Sequence, residues 1–118
     1  MKFEVERKFL VEEIDFLKGI PDKKVVSIEQ TYLSANKLEE VRLRKKVQFN
    51  SESFVLTVKK GKGLIREEIE TNLSKETYEE LISSTNYIPL RKDRISFTYE
   101  GCFFELDLYE DLDLITVE

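Results

Sequence analysis

Phe3-Glu4-Val5-Glu6-Arg7-Lys8-Phe9 alternates strictly, so that Glu4, Glu6 and Lys8 fall on one side of an extended chain and Phe3, Val5 and Phe9 on the other. A strand with that pattern offers one apolar surface and one surface bearing two carboxylates beside an ammonium. A solvated outer face would account for a single such strand. The arrangement recurs in most of the strands that follow, and acidic pairs and basic pairs occupy different strands. Charges sorted in this way point to a lined interior.

The same period of two, broken by turn residues, predicts further strands at Lys24–Leu33, Glu40–Phe49, Ser53–Lys60, Leu64–Asn72, Tyr87–Tyr99, Cys102–Tyr109 and Leu114–Glu118, with the first running Lys2–Phe9. Asn50-Ser51 suits a tight hairpin, Lys60-Gly61-Lys62-Gly63 a glycine-containing turn, and Glu100-Gly101 a short link between aromatic-rich strands. Two helices are expected outside the sheet. One is short, Leu10–Leu17, ended by Gly19 and Pro21; the other is capped by Ser74 and runs to about Ser83, with Tyr78, Leu81 and Ile82 as its apolar stripe. The fold class is therefore mainly antiparallel β with short helices (α+β). About eight charge-rich strands can close into a small barrel or a strongly curved sheet. Its interior would then depart from the apolar filling usual in small barrels.

With 118 residues the chain reads as one domain, 1–118. Charged residues make up 36%, against about 25% in ordinary domains, while eight Phe and five Tyr within a 41% hydrophobic content supply a core. A net charge of -5 argues against a nucleic-acid-coating protein, so no DNA partner is expected. It leaves room for a phosphate compound in a locally basic cavity. The chain has no histidine, which removes His-type zinc sites, Ser-His-Asp triads and Cys-His dyads. Its one cysteine, Cys102, beside Phe103 and Phe104, reads as a core residue in a reducing compartment. The amino terminus has no signal-like apolar run and no stretch is long enough to span a bilayer. A cytoplasmic protein without a membrane partner is expected.

The charged faces follow one parity. Arg42 and Arg44 alternate with Val41 and Leu43; Lys59 ends a strand whose Phe54, Leu56 and Val58 face the apolar layer; Arg66, Glu68 and Glu70 oppose Ile65 and Ile69. Lys92 and Arg94 repeat the basic pair, Glu105 and Asp107 alternate with Phe104, Leu106 and Leu108, and Glu118 ends the chain. Unpaired burial of such groups costs several kcal/mol each, roughly, so the cavity must hold water, pair its charges or contain the ions they serve. Carboxylates without thiolate or imidazole partners are hard oxygen ligands suited to Mg²⁺, Mn²⁺ or Ca²⁺. Arginine and lysine suit phosphate oxygens. Both in one cavity suggest a metal-chelated polyphosphate. Outside this set, Lys60 and Lys62 flank a turn, Glu76, Glu79 and Glu80 form a solvated helix face, and the Arg7 stem covers apolar surface.

At Glu4-Val5-Glu6-Arg7-Lys8 the sequence resembles the CYTH domain of the triphosphate tunnel metalloenzymes, whose hallmark is a Glu-x-Glu-x-Lys strand near the amino terminus. The resemblance continues in order through Val41-Arg42-Leu43-Arg44, Leu56-Thr57-Val58-Lys59, Arg66-Glu67-Glu68-Ile69-Glu70, Lys92-Asp93-Arg94 and Glu105-Leu106-Asp107. It implies an eight-stranded antiparallel tunnel binding triphosphates with a divalent metal, Mg²⁺ or Mn²⁺. By the same resemblance Glu4, Glu6 and Lys8 are the implied catalytic set, and Lys8, Arg42, Arg44, Lys59, Lys92 and Arg94 hold the triphosphate. Glu4, Glu6, Asp107 and Glu118 are implied metal ligands, and Glu68, Glu70 and Glu105 support them. The family's late Glu-x-Glu pair is matched only by its first member, Glu118. The domain is accordingly expected to be C-terminally short, its tunnel incomplete, and a homodimer to form through the open strand edge.

The leading functional expectation is a metal-dependent triphosphatase acting on inorganic tripolyphosphate, with thiamine or nucleoside triphosphates as further substrates. An adenylate cyclase of the same fold, in which the substrate's 3′ hydroxyl replaces water, is the second. A non-catalytic polyphosphate-binding module is the third.

Overall fold

The computed structural model describes residues 2–5, 7–36, 38–61, 65–112 and 114–118, and the side chains of 2–5 lie outside that description. The described strands are β1 (Lys2–Val5), β2 (Phe9–Leu10), β3 (Lys24–Ala35), β4 (Glu39–Gln48), β5 (Ser51–Lys60), β6 (Ile65–Leu73), β7 (Leu90–Tyr99), β8 (Cys102–Tyr109) and β9 (Leu114–Val117). All join one antiparallel sheet in the order β1-β6-β5-β4-β3-β7-β8-β9-β2. The expected first strand is thus two pieces serving opposite ends of the sheet: β1 pairs with β6, and β2 with β9. The ladder is not closed. Its two outermost strands are nevertheless consecutive in the chain, and this brings Lys2–Val5 and Phe9–Leu10 to opposite rims of a curled, tunnel-like sheet.

The two faces divide by parity, as alternation requires. On the outer face Leu43 and Phe54 pack under Tyr78 of α1 (Lys75–Ser83), with Leu33, Leu56, Leu73, Leu81 and Ile82 around them. The α1 start is fixed by Ser74, whose hydroxyl accepts from the Thr77 N–H at 3.1 Å, the expected cap. A second outer cluster joins Leu106 and Phe97 to Leu17 and Ile20. Phe97 stacks on Phe104 at 5.5 Å between centroids and meets Phe16 edge-on at 6.3 Å. The core therefore lies outside the sheet, under α1 and a short 3₁₀ helix, Asp15–Gly19. The concave face is left to polar side chains. Among the described residues no helix is long and apolar enough to cross a membrane.

Several local expectations need correction. The segment read as a helix from Leu10 to Leu17 opens as β2, which pairs with β9, and only Asp15–Gly19 is helical, as a 3₁₀ turn. The hairpin loop between β4 and β5 is Phe49-Asn50, one residue earlier than Asn50-Ser51: φ is +50° and +66°, both in the left-handed region that a two-residue hairpin of this hand demands. The β7 strand begins at Leu90 instead of Tyr87, just after Pro89, which has no N–H for a ladder. Cys102 is exposed. It pairs with Tyr99 beside the Glu100-Gly101 turn, at the hairpin end where the sheet extends past the layer that would cover it.

Candidate functional site

The concave face encloses a cavity of about 230 Å³ whose described lining is entirely polar or charged. Inner-face Arg42, Arg44 and Lys46 come from β4, Lys59 from β5, Arg66, Glu68 and Glu70 from β6, and Lys92 and Arg94 from β7. Glu40, Glu105, Glu118, Lys8 and Tyr32 complete it. Among the described residues this gives eight cationic side chains against five carboxylates, an excess of positive charge inside a chain of net charge -5. A surplus of this sign favours a negatively charged occupant.

The β7–β8 wall is built on a buried ion-pair network. The register sets Arg94 opposite Asp107, and the pair is two-pronged: Nε donates to Oδ1 at 2.8 Å and Nη2 to Oδ2 at 3.0 Å. Lys92 Nζ donates to the same Oδ2 at 2.7 Å and stands 5.2 Å from the Tyr109 ring centroid. Arg94 Nη1 also reaches Glu105 at 3.4 Å. Asp107 is 1% exposed and lies beneath the cavity lining, not in it. Burial opposes its ionisation, but the hydrogen bonds from Arg94 and the charge of Lys92 hold its carboxyl below the usual range. Burial would likewise lower Arg94, and Asp107 more than reverses it, raising that guanidinium.

The β3–β4 wall is held differently. Arg44 Nε donates to Gln30 Oε1 at 3.1 Å, and Gln30 Nε2 donates to the Tyr32 hydroxyl at 3.2 Å. Burial, then the neighbouring Arg42 and Arg94, lower Arg44 to about 10. Lys46 is lowered too, by burial and then by Arg44. Arg42 Nη1 bonds Glu40 at 3.1 Å, while its buried Nε, like that of Arg66, has no partner among the described residues. Buried guanidinium donors without partners are costly, and a hydrogen-bond acceptor placed in the cavity would satisfy them.

The remaining expected residues are placed as follows. Lys59 is buried, opposite Glu40 on one side and Glu68 on the other. Lys8 Nζ lies 2.9 Å from Glu118 Oε1, and Glu118 extends the ladder through reciprocal backbone bonds with Glu105. Glu4 holds the register position opposite Arg66, its side chain outside the described residues; Glu6 lies wholly outside them. Among the described residues no three carboxylate or cysteine groups form a metal-holding cluster. Three lining residues, Lys46, Glu40 and Tyr32, and Gln30 buried behind them, are not flagged by the sequence. Lys46 and Glu40 share the parity of Arg42 and Arg44 and were open to the same argument; Gln30 and Tyr32 carry no charge to flag them.

The burial of Lys92 leads to an expected pH dependence of the site. Burial lowers its pKa to about 8 despite the opposing pull of Asp107, whereas an unfolded lysine titrates near 10.4, roughly. Between those values the unfolded chain binds the extra proton, so folding stability is expected to rise with pH there. Anion affinity should fall over the same window, as the folded lysine loses its charge. Calorimetric titration with tripolyphosphate at pH 7 and 9.5, beside urea unfolding, checks both signs; parallel changes would contradict them.

Comparison with known proteins agrees with this geometry. The profile of the CYTH domain matches residues 2–118. Among solved structures, the inorganic triphosphatase NE1496 is 27% identical with a TM-score of 0.62, over 99% of this chain and 72% of its own. The PH1819 protein from Pyrococcus horikoshii OT3 shares the fold at 22% identity and a TM-score of 0.72, over 96% of this chain and 75% of its own. No curated protein sequence gives a match. The chain belongs to the CYTH domain family.

Proposed function

We propose that this protein binds inorganic tripolyphosphate in the cavity and hydrolyses it with a divalent metal, Mg²⁺ or Mn²⁺. The observation that carries the reading is the excess of cations in the described lining, with two buried guanidinium Nε donors that have no partner among the described residues. A volume of about 230 Å³ falls below the range of roughly 300 Å³ and upward typical of organic ligand sites, and the described lining has Tyr32 as its one aromatic group. Those properties favour a compact polyanion over a nucleoside. The similarity to an inorganic triphosphatase agrees.

Within this reading Lys8, Arg42, Arg44, Lys59, Lys92 and Arg94 surround the phosphates, joined by Lys46 and Arg66. The available oxygen donors are hard and fit a divalent cation: Glu118 at the cavity with Glu4 and Glu6 of the first strand would hold it. Such a cation supplies charge neutralisation and a lowered pKa for water. Glu68, Glu70 and Glu105 orient the cations. Asp107 is spoken for by Lys92 and Arg94, and serves as their anchor in place of the metal-ligand role expected for it. The protein's own contribution to catalysis is positioning and cationic stabilisation, which phosphoryl transfer chiefly requires.

Phosphate release from tripolyphosphate with Mg²⁺ or Mn²⁺ is the test. Glu4→Gln and Glu6→Gln are each expected to slow it by about tenfold or more. Wild-type rates in both would remove the metal assignment, and cyclic AMP formed from ATP would replace the hydrolase with a cyclase.

A further inference from the structure

The two basic walls of the cavity are supported by chemically different groups. On the β7–β8 wall the holder is Asp107, an anion that cancels much of the charge it positions. On the β3–β4 wall the holder is Gln30, a neutral amide, 1% exposed. Its carbonyl oxygen accepts from Arg44 Nε, the one guanidinium nitrogen that points back along the stem, so the two terminal nitrogens stay available to the cavity. The amide nitrogen donates to the hydroxyl of Tyr32, which lines the same cavity, in keeping with the amide oxygen facing Arg44, a donor only. A carboxylate at position 30 would make the hydrogen bond to Arg44 equally well. It would also neutralise it.

We infer that Gln30 is a positioning residue that fixes the Arg44 guanidinium while leaving its charge uncompensated, making β3–β4 the wall that holds the anion. The inference rests on the cavity being a polyphosphate site. Several features of the wall agree with it. Arg44 is flanked on its own strand by Arg42 and Lys46, and among the described residues Glu40 is the one carboxylate paired to any of the three, through Arg42. The repulsion within this row is the cost of keeping it charged, and a bound polyanion relieves it. The opposite wall, already paired through Asp107 and Glu105, has less charge to offer.

Gln30→Glu separates this role from simple packing. The variant keeps the acceptor for Arg44 Nε and adds a negative charge beside a buried cation. Tripolyphosphate affinity, measured by calorimetry on the full chain without metal, is expected to fall at least about tenfold, and its dependence on salt to become shallower. The melting temperature should hold or rise, because Arg44 gains a partner. Affinity equal to wild type would overturn the inference, as would a joint loss of affinity and melting temperature, which would mark Gln30 as a packing residue. Gln30→Met guards against a failure of the first variant to fold. It cannot accept from Arg44 but leaves the charge, so affinity should drop by at least about threefold with the salt dependence intact; unchanged affinity would again overturn the inference. A wild-type protein that does not bind tripolyphosphate sinks the proposed function itself, and this inference with it.

Discussion

Replacing Asp107 with Asn is expected to lower the stability of the folded protein by about 3–5 kcal/mol, the cost of leaving buried cations without their counter-charge. Lys92 and Arg94 both depend on this carboxylate, and all three groups are withdrawn from solvent, their side chains 2%, 12% and 1% exposed in the order Lys92, Arg94, Asp107. In a domain of this size the loss corresponds to a fall in melting temperature of roughly 10–25 °C. The penalty should shrink at pH 9, because Lys92, lowered to about 8, can then discard its proton. Tripolyphosphate should restore much of the loss, since its phosphates replace the missing charge. Acid behaviour gives a further check. A carboxyl held below its unfolded value stabilises the fold above that value, near 4, roughly, and the contribution disappears as pH falls through the folded one. The variant should lack that part of the acid transition. An unchanged melting temperature combined with a raised metal requirement would return Asp107 to the role of metal ligand.

Arg44→Met is expected to have the opposite signature. Arg44 is 5% exposed, desolvated and repelled by Arg42 and Arg94, so its charge costs stability in the empty protein. Methionine keeps much of the stem volume and removes the charge, at the price of one unsatisfied acceptor on Gln30. These effects oppose each other, and the melting temperature should stay within a few degrees of wild type. Tripolyphosphate binding should weaken roughly 30- to 150-fold, the equivalent of about 2–3 kcal/mol for charge-assisted hydrogen bonds to a buried anion. Binding at wild-type strength would show that the anion does not use this wall. The two variants together divide the cavity's cations into those anchored for the fold and those kept bare for the ligand.

Much of this architecture was legible from alternation. Arg42 and Arg44 on one face of β4, with Leu43 buried on the other, follow from the period of two in any extended strand. The Glu100-Gly101 hairpin and the Ser74 cap follow from local backbone chemistry, which needs no tertiary context. The short segment after β2 was misread because its apolar residues fit a helical stripe. Pairing of Leu10 with Thr116, more than a hundred positions away, captured its beginning for the sheet. The exposure of Cys102 was hidden for a similar reason: aromatic neighbours in sequence do not reveal where a sheet outruns its covering layer.

The sequence by itself determined that two faces of opposite character exist, which charged residues share a face, and that the charges are sorted by strand. Local geometry dictates all three. Only the tertiary structure decided that the charged face is the concave one, because curvature arises from how strands distant in the chain pair and from where α1 and the 3₁₀ turn lay their apolar sides. It also decided what each charge does. Arg94 and Asp107 are thirteen positions apart, and the β7–β8 register makes them partners; Arg44 and Gln30 are fourteen apart, and the β3–β4 register does the same for them. A carboxylate in the first pair and an amide in the second determine which wall of the cavity retains its charge, and no periodicity along one strand carries that information.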